Sequence, residues 1–171
     1  MKIEVLDGNR SWPRAEPIFN AIWPPGVRAT LPWDKLVFEN APRRVIVSDT
    51  GADTCHVGLY VRECLVDGKP VRVGGIGGVL TYAHARRKGY AAAAIRQGLG
   101  LFTDEGYAFA LLCCNDYNYA FYRGLGWRQI DTRILIEQPA GKKQMTEMEP
   151  FLFDLKLSVD PKEIDLCGLP W

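Results

Sequence analysis

The stretch V-R-V-G-G-I-G-G-V-L-T-Y-A-H-A-R-R-K-G-Y-A-A-A-A, from Val71 to Ala94, decides how the chain folds. Its first part is apolar and partly β-branched at Val71, Val73, Ile76, Val79 and Leu80, which suits a buried strand interrupted by glycines. From Arg87 the alanines take over. Ala91, Ala94, Ile95, Gly98, Leu101 and Phe102 then recur at spacings of three and four, so a helix buries one face there. Strand passes into helix through Arg86-Arg87-Lys88-Gly89-Tyr90-Ala91. The first turn of a helix carries unbonded N–H groups and the positive end of the helix dipole, and Arg86, Arg87 and Lys88 add to that field. Such a turn attracts a phosphate or pyrophosphate, although a plain helix start with solvated basic residues accounts for the same pattern.

Around this element, 171 residues suffice for one domain, 1–171, with one core. The apolar share of 47% and the charged share of 24% are those of an ordinary globular protein. No apolar run reaches the ~20 residues that cross a membrane. The opening M-K-I-E-V-L-D is a charged strand pattern rather than a signal peptide, so no membrane partner and a cytoplasmic location are expected. The cysteines (Cys55, Cys64, Cys113, Cys114, Cys167) are odd in number and lack C-x-x-C spacing. They read as reduced, mostly buried thiols, with no metal site indicated. A net charge of +1 and basic runs no longer than three argue against a nucleic-acid partner. A homodimer is left open.

In chain order, Lys2 to Leu6 reads as a first strand and Ser11 to Ile22 as a short helix with Pro13 and Pro17 in its first turns, stopped by Trp23-Pro24-Pro25-Gly26. The stretch to Asn40 carries Trp33 and Glu39 with little periodicity. It is a loop or short helix capping the core, or a lid whose aromatics and carboxylates bind an amine. Arg44 to Ser48 is a strand, Asp49 to Asp53 a turn, and His56 to Leu65 alternates with Val57, Leu59 and Val61 on one face. Asp67-Gly68 marks a two-residue hairpin into the strand from Val71. The glycines at 74, 75, 77 and 78 are followed by more strand, not by a helix, which excludes a dinucleotide fingerprint and suggests a bulge or a close approach. After the helix, Tyr107 to Cys114 is a buried strand, parallel to that from Val71 through a right-handed crossover. Trp127 to Ile136 and Met148 to Leu157 read as the last strands, with Glu137 to Glu147 a mobile loop between them.

The spacing Arg86-x-x-Gly89-x-Ala91 resembles the Arg/Gln-x-x-Gly-x-Gly/Ala signature of the GNAT superfamily of N-acetyltransferases. Asn115-Asp116-Tyr117-Asn118-Tyr119-Ala120-Phe121-Tyr122, followed by Gly126-Trp127, resembles the second signature of that family, with Asn118 where an alanine is common. The resemblance implies an α/β (α+β) fold: a mixed, mostly antiparallel central sheet of about seven strands, splayed between the fourth and fifth, flanked by about four helices. It also implies that the turn Arg86, Arg87, Lys88, Gly89, Tyr90 and Ala91 binds the pyrophosphate of acetyl-coenzyme A. Backbone N–H groups around Val79, Leu80 and Thr81 would then face the acetyl carbonyl and the pantetheine arm, with Asn115 and Tyr122 also on the cofactor. The glycine-rich strand and the aromatic last residue look most like the aminoglycoside 2'-N-acetyltransferase branch.

The chemistry implied is direct attack of a small-molecule amine on the thioester. Leu80 supplies an oxyanion donor through its backbone, worth typically about 10²- to 10³-fold in rate. Tyr122, with an ordinary pKa of about 10, protonates a thiolate whose conjugate acid lies near about 8.5. The base is left open among Glu63, Glu39, the carboxylate of Trp171 if the tail enters the groove, and a water chain. Trp33, Glu39 and Trp171 are the candidate acceptor contacts. Transfer of a longer acyl chain, using space left by the glycines, and a non-catalytic acyl-coenzyme A-binding module are the alternatives.

Overall fold

The computed structural model describes residues 1–171. Ten strands form one sheet, with helices on both faces. β1 (Lys2–Asp7), β2 (Arg43–Asp49), β3 (Ala52–Val66) and β4 (Lys69–Thr81) are consecutive antiparallel neighbours. Asp67 and Gly68 both take positive φ, 47° and 77°, the conformation a two-residue hairpin needs. β5 (Phe109–Cys114) runs parallel to β4, as the strand–helix–strand order requires. Antiparallel β9 (Glu149–Asp154) follows it, then the short β6 (Arg128–Gln129) at the edge.

α1 (Gly8–Ile22) begins three residues before the expected Ser11 because Asp7 caps it, its side chain accepting from Arg10 N at 3.0 Å. Pro13 and Pro17 therefore sit inside the helix rather than in its first turns. Both are on the exposed face, where the carbonyls they leave unbonded meet water, while Ser11, Ala15 and Ile18 are buried. A single turn, α2 (Pro25–Arg28), follows. α3 (Tyr90–Asp104) buries Ala94, Ile95, Gly98, Leu99 and Phe102 against β2, β3 and β4. α4 (Tyr119–Gly124) is the last helix.

Two cores result, one on each face of the sheet. Val45, Val57, Leu59, Ile76, Ile95, Phe102 and Leu112 pack on the α3 face. Trp33, Tyr60, Val73, Phe109, Leu111, Ile134 and Trp171 pack on the other. The glycines of β4 are explained by this crowding. A Cβ at Gly74 would come within 2.5 Å of the Phe102 ring, one at Gly75 within 2.3 Å of the Trp171 indole, and one at Gly77 within 2.7 Å of the Trp171 backbone. The space these three glycines leave is thus filled by Phe102 and Trp171.

Two expectations fail at the C-terminal end. The segment 127–136 is not one strand: it breaks after β6, and β7 (Arg133–Gln138) leaves the edge beside β9 for the far side of the sheet. The expected mobile loop 137–147 is instead the end of β7 hairpinned to β8 (Gly141–Gln144), with Lys142 Nζ donating to Asp165 Oδ2 at 2.6 Å. Its polar alternation reflects an exposed two-stranded ribbon, a pattern that carries no hydrophobic period. The tail also joins the sheet, as β10 (Glu163–Asp165) lies parallel to β7 and antiparallel to the end of β3.

Gly75→Val drives a branched side chain into the Trp171 indole. Overpacking of this kind is expected to destabilise the fold by about 1–3 kcal/mol, read as a fall of several degrees in Tm by thermal unfolding. The same change at exposed Gly100, where an added Cβ meets nothing within 4 Å, should be far milder.

Candidate active site

β4 and β5 pair only at Val73–Phe109, Gly74–Ala110 and Gly75–Leu111, and then part. On the other edge of β4, His56 pairs with Leu80 and Gly58 with Gly77, so Val57 faces both Gly78 and Val79. This is a bulge, and Gly78 takes it up with φ +54°. The strand is thereby turned aside where its partner has left it.

A cavity of about 540 Å³ lies in this opening. Gly77, Gly78 and Val79 form one wall and Cys113, Cys114, Asn115 and Tyr122 another. Trp12, Phe19, Trp23 and Trp33 come from α1 and the segment after it, while Arg44, His56 and Tyr60 rise from β2 and β3. Of the residues expected at the site, Val79, Asn115, Tyr122, Trp33, Glu39 and Trp171 line this cavity. Leu80 and Thr81 are not in its wall: the Leu80 side chain is buried, and Thr81 Oγ1 donates to Cys55 Sγ at 3.3 Å. Glu63 is exposed on β3, away from the cavity.

The basic turn lies beside the cavity rather than in it. Arg87 (φ 62°) and Gly89 (φ 83°) are left-handed, a geometry from which anion-binding nests are built. The first hydrogen bond of α3 runs from Ala93 N to Gly89 O at 3.0 Å and no side chain caps the helix. The backbone amides from Arg87 to Ala92 therefore have no acceptor within the protein. Arg86, Arg87 and Lys88 are exposed, with Arg86 Nε reaching Thr81 O at 3.3 Å. Tyr90 is committed to the fold, its hydroxyl donating to Asp49 Oδ2 at 2.6 Å.

Tyr122 is 6% exposed among Trp127, Phe121 and Phe151, and burial pushes its hydroxyl well above the usual phenol range, so it holds its proton. Burial likewise raises Cys55 to about 11 and Cys114 to about 12, which leaves both as neutral thiols. Trp33 sits edge-on between Trp23 and Phe38 at centroid distances of 4.8 and 5.5 Å. Glu39 is paired with Arg62 at 3.1 Å. Trp171 stacks on Tyr60 at 5.7 Å and donates from Nε1 to Leu111 O at 3.2 Å, so its indole braces the last residue of β5 to pair with β4.

Two cavity residues escape a sequence reading, His56 and Arg44. The alternation of β3 places His56, Gly58 and Tyr60 on the face opposite Val57, Leu59 and Val61, and α1 and the tail cover that face. His56 Nδ1 lies 2.7 Å from Gly78 O, and since a carbonyl only accepts, Nδ1 carries the hydrogen. Nε2 is then a buried lone pair without a partner. The signal available was an arginine heading an otherwise apolar strand, Arg44-Val45-Ile46-Val47.

A mostly antiparallel sheet parted between the parallel strands β4 and β5, beside an uncapped helix start, is the framework of an acyl-transfer enzyme. The sequence profile of the acetyltransferase (GNAT) domain matches residues 24–130, and the chain belongs to that family. No curated protein sequence matches the chain. Among solved structures, it is similar to a GNAT family N-acetyltransferase from Escherichia coli in complex with coenzyme A (TM-score 0.67, 16% identity, covering 96% of this chain and 88% of that one). It is also similar to an aminoglycoside 6'-N-acetyltransferase complexed with coenzyme A (TM-score 0.62, 10% identity, 94% and 100% covered). The third is the ribosomal-protein-S18-alanine N-acetyltransferase of Escherichia coli (TM-score 0.58, 14% identity, 93% and 96% covered). At these identities the likeness is one of fold. No helix is long and apolar enough to cross a membrane.

Burial, with Arg44 adding to it, holds His56 down at about 4 despite its bond to Gly78 O. An unfolded histidine titrates near about 6.5, so between these values the unfolded chain binds the extra proton and the folded state loses stability as pH falls. His56→Gln should flatten the decline in chemical-denaturation stability from pH 6.5 to pH 4, and a decline of unchanged slope would assign it to other groups.

Proposed function

We propose that the protein acetylates the primary amine of a small molecule, taking the acetyl group from acetyl-coenzyme A by direct attack within a ternary complex. The observation that carries this reading is the run of backbone amides from Arg87 to Ala92 that meet no protein acceptor, a few residues beyond Val79 of the cavity wall. Unbonded N–H groups, the positive end of α3 and the exposed Arg86, Arg87 and Lys88 are the donor set a diphosphate needs. The coenzyme A complexes of similar folds support the same assignment. Bound there, the cofactor supplies an acetyl group already activated as a thioester.

The residues of this chain do the rest. Val79, the one residue of the expected oxyanion segment that lines the cavity, turns its backbone toward the developing oxyanion where β5 has departed; being fixed before the reaction, it needs no reorganisation. Tyr122 retains its proton through the neutral range and donates it toward the departing sulfur. Asn115 flanks the same wall. Glu39 and the Trp33 ring line the acceptor side and attract the ammonium form of the amine, which gives up its proton to water in the cavity. The cavity of about 540 Å³, roofed by aromatic side chains from α1 and the segment after it, favours a small acceptor over a folded protein surface.

Arg86→Ala should weaken acetyl-coenzyme A binding about tenfold by calorimetric titration, the loss of one charge-assisted contact, with unchanged thermal unfolding. Equal affinity would take the pyrophosphate out of this turn. Tyr122→Phe should lower kcat by about 10²-fold or more with little change in KM, in a thiol-release assay over a panel of amines. Coenzyme A binding without thiol release from any amine would mark a non-catalytic binding module.

A further inference from the structure

Arg44 is the only buried arginine, 4% exposed, and no carboxylate stands within 4 Å of it. Nη1 donates to Gly8 O, the Trp12 ring lies 5.2 Å from Cζ, and Nε has no partner at all. The other charged side chains of the cavity wall are paired, Glu39 with Arg62 and Arg28 with Asp34. A buried cation without a counter-ion in contact is disfavoured, and here burial lowers the pKa of the guanidinium despite the opposing charge of Asp7.

Arg44 pairs across the ladder with Gly58, and Gly58 pairs with Gly77 beside the bulge, so its backbone stands two strand spacings, roughly 10 Å, from the parted edge. His56, on the same face and two residues from Gly58, presents the second partnerless polar atom of this wall, Nε2. Trp12, Phe19 and Trp23 cover the space in front of both.

We infer that Arg44 is the anion-recognition residue of the acceptor subsite, and that the acceptor is an amino-acid-like amine whose carboxylate pairs with this guanidinium while an apolar or aromatic body packs against Trp12, Phe19 and Trp23. The inference rests on the transferase reading for the word acceptor; the anion subsite itself does not. The competing role for Arg44 is structural, tying the start of α1 through Gly8 O. That role engages Nη1, leaves Nε unused and gives no preference between ligands.

Matched ligands that differ only in the carboxylate separate the two. Titration of 3-phenylpropionate and of 3-phenylpropanol, followed by the fluorescence of the cavity tryptophans without acetyl-coenzyme A, should show the acid binding at least about tenfold more tightly, as one charge-assisted hydrogen bond predicts. With acetyl-coenzyme A, L-phenylalanine should exceed phenethylamine in kcat/KM by a similar factor, and Arg44→Met should bring that ratio toward one. If Arg44→Met does not fold, the wild-type titration decides alone. Equal binding of acid and alcohol, binding of neither, or a ratio unmoved in the variant overturns the inference. A preference for the acid in a protein that neither binds nor turns over acetyl-coenzyme A would instead overturn the transferase reading and leave the anion subsite standing.

Discussion

The structure depends on two parallel strands that stop being neighbours. A β-ladder that ends after three pairs leaves two facing rows of N–H and C=O groups, and polar groups buried without partners are strongly disfavoured. The opening persists because each side is held by something else. β4 is bent aside at Gly78 and kept on β3, while β5 is secured along its whole length by β9. The indole of Trp171 fits under the last shared pair, against Gly75 and Leu111. The cavity is thus a region from which sheet hydrogen bonds have been withheld, so that its backbone stays available to a ligand.

The two faces of the sheet contribute differently. On the α3 side, Ala94, Ile95, Leu99 and Phe102 seat the helix on the sheet and bring a helix start with free amides next to the parted strand. On the other side, aromatic rings from Trp12 on α1 to Trp171 line the cavity in edge-on and stacked contacts. This suits a division of labour, with a charged carrier held from outside by the backbone and a smaller reactant enclosed by side chains.

Legibility in the sequence followed locality. The strand–turn–helix around Gly89, the Asp67-Gly68 hairpin and the parallel crossover to β5 are set by neighbours in sequence, through periodicity and turn chemistry, and all could be read. The bulge was signalled by glycine, but whether Gly74, Gly75 and Gly77 served a ligand or the chain itself depended on Phe102 and Trp171, far away in sequence. The departure of β7 from β6 and the joining of β10 to β3 are long-range pairings with no local mark, since a two-residue and a three-residue strand carry no period. Arg44 and His56 were hidden for a related reason. Alternation says which residues share a face of a strand, and only the covering of that face by α1 and the tail makes a polar residue buried.

The bracing by Trp171 sets an order of events during synthesis. β4 and β5 leave the ribosome with α3 between them and can pair early, but the wedge that supports their divergence, and the strand that docks beside β3 some hundred residues after it (Ile164 against Val66), emerge after every other wall of the cavity. A nascent chain halted anywhere before this segment holds the helix start and its free amides on a sheet whose fork has no support. The fork is therefore complete only once the segment 164–171 has docked against β3 and β4.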